Sequence, residues 1–176
     1  MYRTERLVLR TWNDDDVDAF SAMCADESVM RFFPSTLSSM ESAQFVKREQ
    51  DRMKKEGFGL WVLDIDGRFG GYVGLARVSF QATFAPCIEI GWRLPRWAWG
   101  HGYASEAARE ALRIGFEEHN FECIYSFTTA LNAPSEGVMK RIGMNRRADL
   151  DFDHPNTPNW DGQRHIVYSI DRPVQG

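Results

Sequence analysis

The hydrophobic positions fall into short runs, alternations and three-to-four spacings that divide the 176 residues into alternating strands and helices. Leu7-Val8-Leu9-Arg10-Thr11-Trp12 predicts a first strand. Asn13 offers an N-cap, and Asp14, Asp15 and Asp16 suit the positive end of a helix dipole. Val17, Phe20, Met23 and Cys24 then follow at helical spacing, up to a break at Pro34. Ser38 and Glu41 have the spacing of a capping box, which predicts a second helix running to about Lys55 and ended by Gly57 and Gly59. Leu60 to Ile65 and Phe69 to Phe80 read as a hairpin around Asp66-Gly67, with Gly70, Gly71 and Gly74 marking a bulge. Cys87 to Leu94 is a third strand and Pro95 to Tyr103 a loop.

From Ala104 the helical pattern is the clearest in the chain. Ala104, Ala107, Ala108, Ala111, Leu112, Gly115 and Phe116 form one face, and Ser105, Glu106, Arg109, Glu110 and Arg113 the other. Small residues on the apolar face let such a helix lie close to a sheet. Cys123 to Thr129 predicts a strand, and Asn132-Ala133-Pro134-Ser135 opens a short helix capped by Gly143. Met144 to Leu150 and Arg164 to Ile170 are the last expected strands, separated by a polar loop with His154, Pro155, Pro158 and Trp160. With no linker or repeat, residues 1–176 read as a single α+β domain around a mixed central sheet.

Composition narrows the function. Twenty-one basic against 25 acidic residues give a net charge of −4, a poor basis for nucleic-acid binding. The amino terminus lacks the apolar core of a signal peptide, and no apolar run approaches the ~20 residues of a membrane span, so the expected location is cytoplasmic, with no membrane partner. Cys24, Cys87 and Cys123 form no CxxC pair and read as free thiols in a reducing compartment. The histidines have no metal-ligand spacing, so no metal is expected.

The chemistry concentrates in Gly100-His101-Gly102-Tyr103-Ala104, ahead of a helix N-terminus. Free amides and the helix dipole favour an anion there. The same residues also read as a plain glycine-rich turn. The Rossmann fingerprint fails because Ser105 stands at its third glycine, and the phosphate-binding P-loop fails because no Gly-Lys-Ser/Thr follows.

Glu89-Ile90-Gly91-Trp92-Arg93-Leu94 before this loop, and Asn132 to Met144 after it, change the picture. Together with the Arg6-Leu7-Val8-Leu9-Arg10 opening and Gly70-Gly71-Tyr72-Val73-Gly74-Leu75, they resemble the GNAT superfamily of acyl-CoA-dependent N-acetyltransferases over nearly the whole chain. The nearer resemblance is to the ribosomal-protein alanine acetyltransferase (RimJ/RimL-like) type. It implies a GNAT fold whose central sheet splays at the cofactor site. It also implies acetyl-CoA as cosubstrate, its pyrophosphate on the amides of Trp99, Gly100, His101, Gly102, Tyr103 and Ala104. Trp99 stands where the family signature has Gln or Arg, which leaves only the backbone cradle at that position. The pantetheine arm would run along Ile90, Trp92 and Leu94, with Asn132 touching it. Glu89 matches a general base and Ser135 a proton donor to the leaving thiolate. Each also has a plain reading: a strand carboxylate for Glu89, a helix cap for Ser135, a turn residue for Asn132. The implied activity is acetyl transfer to a primary amine by direct attack, with a protein N-terminus, aminoglycoside, polyamine or amino acid as acceptor. The rival is a noncatalytic acyl-CoA-binding or sensing domain, and a homodimer stays open.

Overall fold

The computed structural model describes residues 1–78 and 80–174. The first strands are β1 (Tyr2–Arg3) and β2 (Val8–Arg10), followed by helices α1 (Asp16–Ala25), α2 (Glu27–Met30) and α3 (Ser39–Glu56). The hairpin β3 (Leu60–Ile65) and β4 (Arg68–Arg77) leads into β5 (Ile88–Arg93), a 3-10 turn at Arg96–Ala98, and α4 (Tyr103–Arg113). Then come β6 (Cys123–Thr129), α5 (Ala133–Arg141), β7 (Asn145–Arg146), β8 (Phe152–Asp153) and β9 (Arg164–Asp171). Among the described residues the nine strands form one sheet in the order β1-β2-β3-β4-β5-β6-β9-β7, with β8 also on β9. Only β5 and β6 pair in parallel, so the sheet is mixed, as the periodicity implies.

Local chemistry explains most elements. The Ser38 hydroxyl accepts from the Glu41 amide, and the Glu41 carboxylate accepts from the Ser38 amide, closing the capping box of α3. Asp66 and Gly67 both have positive φ (52° and 79°), which the tight turn between β3 and β4 requires. The register slips by one residue between Tyr72 and Phe69, so the expected bulge lies at Gly70-Gly71. Gly71 has φ +95°, and a Cβ on it would collide with the Arg93 carbonyl of β5. α4 lays Ala107, Ala108 and Ala111, all fully buried, against the face of the sheet that carries Leu75 and Ile90. Helices α1 and α3 cover the opposite face, where Trp12, Phe20, Phe45 and Tyr72 pack ring against ring.

Several expectations are corrected. Asp16 stands in the first turn of α1 as expected, but it is buried, takes the Asn13 amide, and forms a bidentate pair with Arg10 (2.7 and 2.8 Å). The N-cap is accordingly Asp15 rather than Asn13. A short helix, α2, follows directly, its Ser28 amide capped by Asp26. Strand β4 ends at Arg77 rather than Phe80, and Ser79 lies outside the described residues. Ser105, expected on the solvent face of α4, is buried, because Arg141 of α5 donates to its hydroxyl (3.2 Å). The helix does not run regularly to Phe116; beyond Arg113 it widens into a π-turn over Ile114–Glu118, closed by His119 N–H to Ile114 O. The expected strand Met144–Leu150 is also broken. Only Asn145–Arg146 pairs with β9; Ala148–Leu150 is a 3-10 turn, and Phe152–Asp153 resumes the pairing.

Candidate active site

Strands β5 and β6 pair only at Ile88–Ile124 and Glu89–Tyr125, whereas β6 stays paired with β9 over its whole length. Beyond Glu89 the two parallel strands part. Ser126 bridges the start of the gap, its hydroxyl donating to the Ile90 carbonyl (2.9 Å). Ile90 thus presents its main chain towards β6. Two residues on, Trp92 presents its N–H and carbonyl to the same side, past the last β5–β6 pair. A cleft of about 900 Å³ opens from this gap. Ile90, Trp92 and Leu94 line one wall, Ser126 to Thr129 the other, and Asn132 and Ser135 face the cleft from α5.

At one end of the cleft stands the glycine loop. Gly100 and Gly102 have φ +78° and +81°, left-handed values that glycine adopts without strain. They turn the chain so that the amides of Gly100 through Ser105 take no backbone acceptor among the described residues. The first backbone bond of the helix is Glu106 N–H to Gly102 O. Sequence reasoning did not find what holds this loop. Glu106 receives the Thr4 hydroxyl (2.6 Å) and the Arg6 amide (3.0 Å), and its carboxylate pairs with the Arg6 guanidinium (2.6 Å). Arg6 also donates to the His101 carbonyl (2.9 Å) and covers the Tyr103 ring. Trp99 is anchored by its indole N–H on the Leu94 carbonyl (2.8 Å), and His101 stacks on Tyr103. Arg141 lines the cleft, whereas the nearby Lys140, Arg146 and Arg147 pair with Glu136, Asp151 and Asp149.

Ser135 sits in a fixed hydrogen-bond frame. Its hydroxyl oxygen accepts from the Trp92 indole (3.3 Å) and from the Asn132 amide (3.1 Å). Both lone pairs are then engaged, so its own proton is left for a partner in the cleft. Asn132 caps α5: its carbonyl takes the Ser135 amide, and its second N–H goes to Thr128.

Glu89, Gly91 and Arg93 alternate on the face of β5 turned towards α1 and α3. Because Gly91 has no side chain, the Glu89 carboxylate folds over it, Oε1 lying 3.8 Å from where a Cβ would stand. Among the described residues nothing hydrogen-bonds this carboxylate. Burial raises its pKa to about 8, against a smaller opposing effect of Arg52. On the far wall Phe80, Phe127 and Phe152 pack around His154 and His165. The two imidazoles lie 4.9 Å apart. Burial and the neighbouring His165 push His154 down to about 4, and burial lowers His165, so both are neutral at pH 7. The thiols of Cys24, Cys87 and Cys123 are raised, chiefly by burial, Cys87 to about 12. None is a thiolate at neutral pH. No group of three metal-ligating side chains, and no helix long and apolar enough to cross a membrane, occurs among the described residues.

Known proteins share this architecture. The chain is 32% identical over 143 residues to an uncharacterized protein, YkkB, of Bacillus subtilis, covering 80% of this chain and 83% of that one. It is 30% identical to an uncharacterized N-acetyltransferase, YnaD, of the same organism, over 89% of each chain. A crystal structure of a GNAT-family acetyltransferase from Bacillus anthracis superposes with a TM-score of 0.80 at 25% identity over 97% of both chains. Residues 6–145 match the model of the acetyltransferase (GNAT) domain, a span that runs from the Arg6 clamp through the parted strands and past α5, and the chain therefore belongs to the GNAT acetyltransferase family.

Proposed function

We propose that the protein transfers acetyl from acetyl-CoA to a primary amine by direct attack. The parting of β5 from β6 carries this reading. It leaves the main chain of Trp92 free, past the Ile90 carbonyl that Ser126 takes, to pair with the pantetheine amides as an added strand would. The free amides from Gly100 to Ser105 fit the pyrophosphate at one end of that edge, and Glu89 faces the cleft at the other. Structures that share only the fold point the same way. One is RimL, the ribosomal L7/L12 alpha-N-protein acetyltransferase, in complex with coenzyme A (14% identity, TM-score 0.77). Another is a spermidine N-acetyltransferase from Vibrio cholerae with CoA and spermine (16%, 0.75).

In this reading the amine nitrogen attacks the thioester carbonyl carbon. The Trp92 N–H, on the open side of β5, stabilises the oxygen that becomes negative. Before the attack Glu89 takes one proton from the substrate ammonium, which frees the nitrogen lone pair; a second proton leaves the nitrogen as the intermediate collapses and replaces the one Ser135 gives up. With a pKa near 8 Glu89 is matched to an amine of ~8–10, so the transfer is close to balanced. The carbon–sulfur bond then breaks, and Ser135 gives its free proton to the sulfur. Products are the N-acetyl amine and free CoA; Glu89 returns its proton to solvent and Ser135 regains one. The raised thiols favour direct attack over an acetyl-cysteine intermediate.

Calorimetric titration with CoA and thiol release from acetyl-CoA over an amine panel test this reading. Tight CoA binding with amine-dependent thiol release is the expected result. CoA binding with no release for any amine would favour a noncatalytic acyl-CoA sensor instead.

A further inference from the structure

Among the described residues, Arg93 is the one guanidinium of the cleft's inner wall that points away from α4. It pairs with Tyr72 across β4 and β5 and lies under α1 and the segment after α2. Its guanidinium stacks on Phe33 (4.0 Å) and approaches Tyr72 (5.6 Å). Nη1 touches the Cys24 sulfur (3.2 Å), a weak acceptor. Nε is buried with no hydrogen-bond partner. Among the described residues no carboxylate pairs with it. A half-buried guanidinium held between aromatic rings without a counter-ion is costly in the free protein. The arrangement makes sense where an anion arrives with a ligand.

The charges of the whole cleft agree. The protein carries a net −4, yet Glu89 is the only carboxylate among the described lining residues, against Arg31, Arg93 and Arg141. Arg141 belongs with Ser105 at the α4 end. Arg31 stands at the mouth over Phe32 and Trp99. A polycationic acceptor would find one carboxylate and a row of arginines. An acceptor bearing an anion would find a receptor.

Resting on the acetyl-transfer reading, we propose that Arg93 is an anion-binding residue of the acceptor site, and that the acceptor is a small amine carrying a carboxylate or comparable anion. The strand sets the separation. Glu89 folds over Gly91, two residues before Arg93, and two residues of strand span roughly 7 Å. The amine and the anion are therefore several bonds apart, as in an ω-amino acid with three or four methylenes or a dipeptide, rather than adjacent as in glycine.

The test is calorimetric titration of δ-aminovalerate into the protein saturated with CoA, beside pentylamine, which has the same chain without the carboxylate, and glycine, which is too short. Wild type is expected to bind δ-aminovalerate at least tenfold more tightly than either control. Arg93→Met removes that preference, and Arg93→Lys keeps part of it, while CoA affinity stays within twofold in both. Without ligand, Arg93→Met melts no lower than wild type, because an uncompensated charge has been removed. Equal binding of δ-aminovalerate and pentylamine by wild type overturns the subsite and leaves acetyl transfer standing. A loss of CoA affinity in Arg93→Met assigns the guanidinium to the cofactor's phosphates and also overturns it. Low melting of both variants would make Arg93 structural and would likewise overturn the subsite. Failure of wild type to bind CoA at all would instead overturn the acetyl-transfer reading.

Discussion

The two ends of the cleft are built by opposite means. At the α4 end nearly every side chain has its partners: Glu106 takes Thr4 and Arg6, Trp99 holds Leu94, and Asn132 holds Thr128 and Ser135. What is left free there is backbone, the amides from Gly100 to Ser105. At the other end the backbone is paired and the side chains are left free. Among the described residues Glu89 has no hydrogen bond and Arg93 no counter-ion, and burial holds His154 and His165 neutral. On the acetyl-transfer reading, a constant ligand is met by main chain, which only a change of backbone conformation displaces, and a particular acceptor by titratable side chains whose properties depend on their surroundings.

The largest effect should come from the side-chain end. Glu89→Gln keeps the shape and removes the proton acceptor, so kcat should fall by ~10²–10⁴ at pH 8. The rising limb of its pH–rate profile near 8 should vanish, with partial recovery at higher pH as more amine is neutral. Stability moves the other way. The carboxyl's pKa is raised from 4.5 to about 8, so the folded protein holds the proton more tightly and loses stability as pH climbs from 4.5 to 8. Glu89→Gln should match wild type near pH 5 and melt higher above pH 8. A wild-type pH–rate profile in this variant would remove Glu89 from the proton transfer.

The main-chain end is tested by Gly102→Val. A Cβ there meets only Arg6 Nη2, at 3.6 Å, so the damage is conformational: a branched residue resists φ +81°. CoA affinity should fall on the order of 10²-fold by calorimetry, as strain of ~1–3 kcal/mol is added to displaced amides. Ser135→Ala separates the two ends. If Ser135 protonates the thiolate, kcat should fall ~10²-fold with KM for acetyl-CoA nearly unchanged; a rise in KM at constant kcat would make it a cofactor contact only. The smallest effect is on stability alone. His154 has a pKa lowered from 6.5 to about 4, so it contributes stability that is lost as pH falls across that interval. His154→Phe, which suits its aromatic neighbours, should flatten that loss by on the order of 1 kcal/mol in denaturant titrations at pH 4.5.

The same contrast governs what could be read from the sequence. The capping box at Ser38, the turn at Asp66-Gly67, the bulge at Gly70-Gly71 and the small-residue face of α4 are all decided within a few residues, and each stands where the pattern put it. The glycine loop was legible for the same reason. Ser105 was misplaced, and the burial of Asp16 went unread, because partners in other elements, Arg141 and Arg10, draw these polar groups inward. The last strands were misjudged because an apolar run does not reveal where β9 has room for a neighbour. Arg93 carries a weak signal in the sequence, a charge at the end of the alternation Glu89-Gly91-Arg93. Its lack of a counter-ion depends on Phe33, Cys24 and Tyr72, which no spacing brings together.

The clamp between Arg6 and Glu106 joins residues 100 positions apart in the chain. During synthesis Arg6 emerges first and has no partner until the beginning of α4 has also left the ribosome. The loop that it fastens is thus among the later pieces of the molecule to acquire its final shape, and non-local closure of this kind slows folding. A partly made chain can hold the hairpin of β3 and β4 and the capped α3. On the acetyl-transfer reading such a chain has no site for CoA yet, so the cofactor would stabilise only the finished molecule.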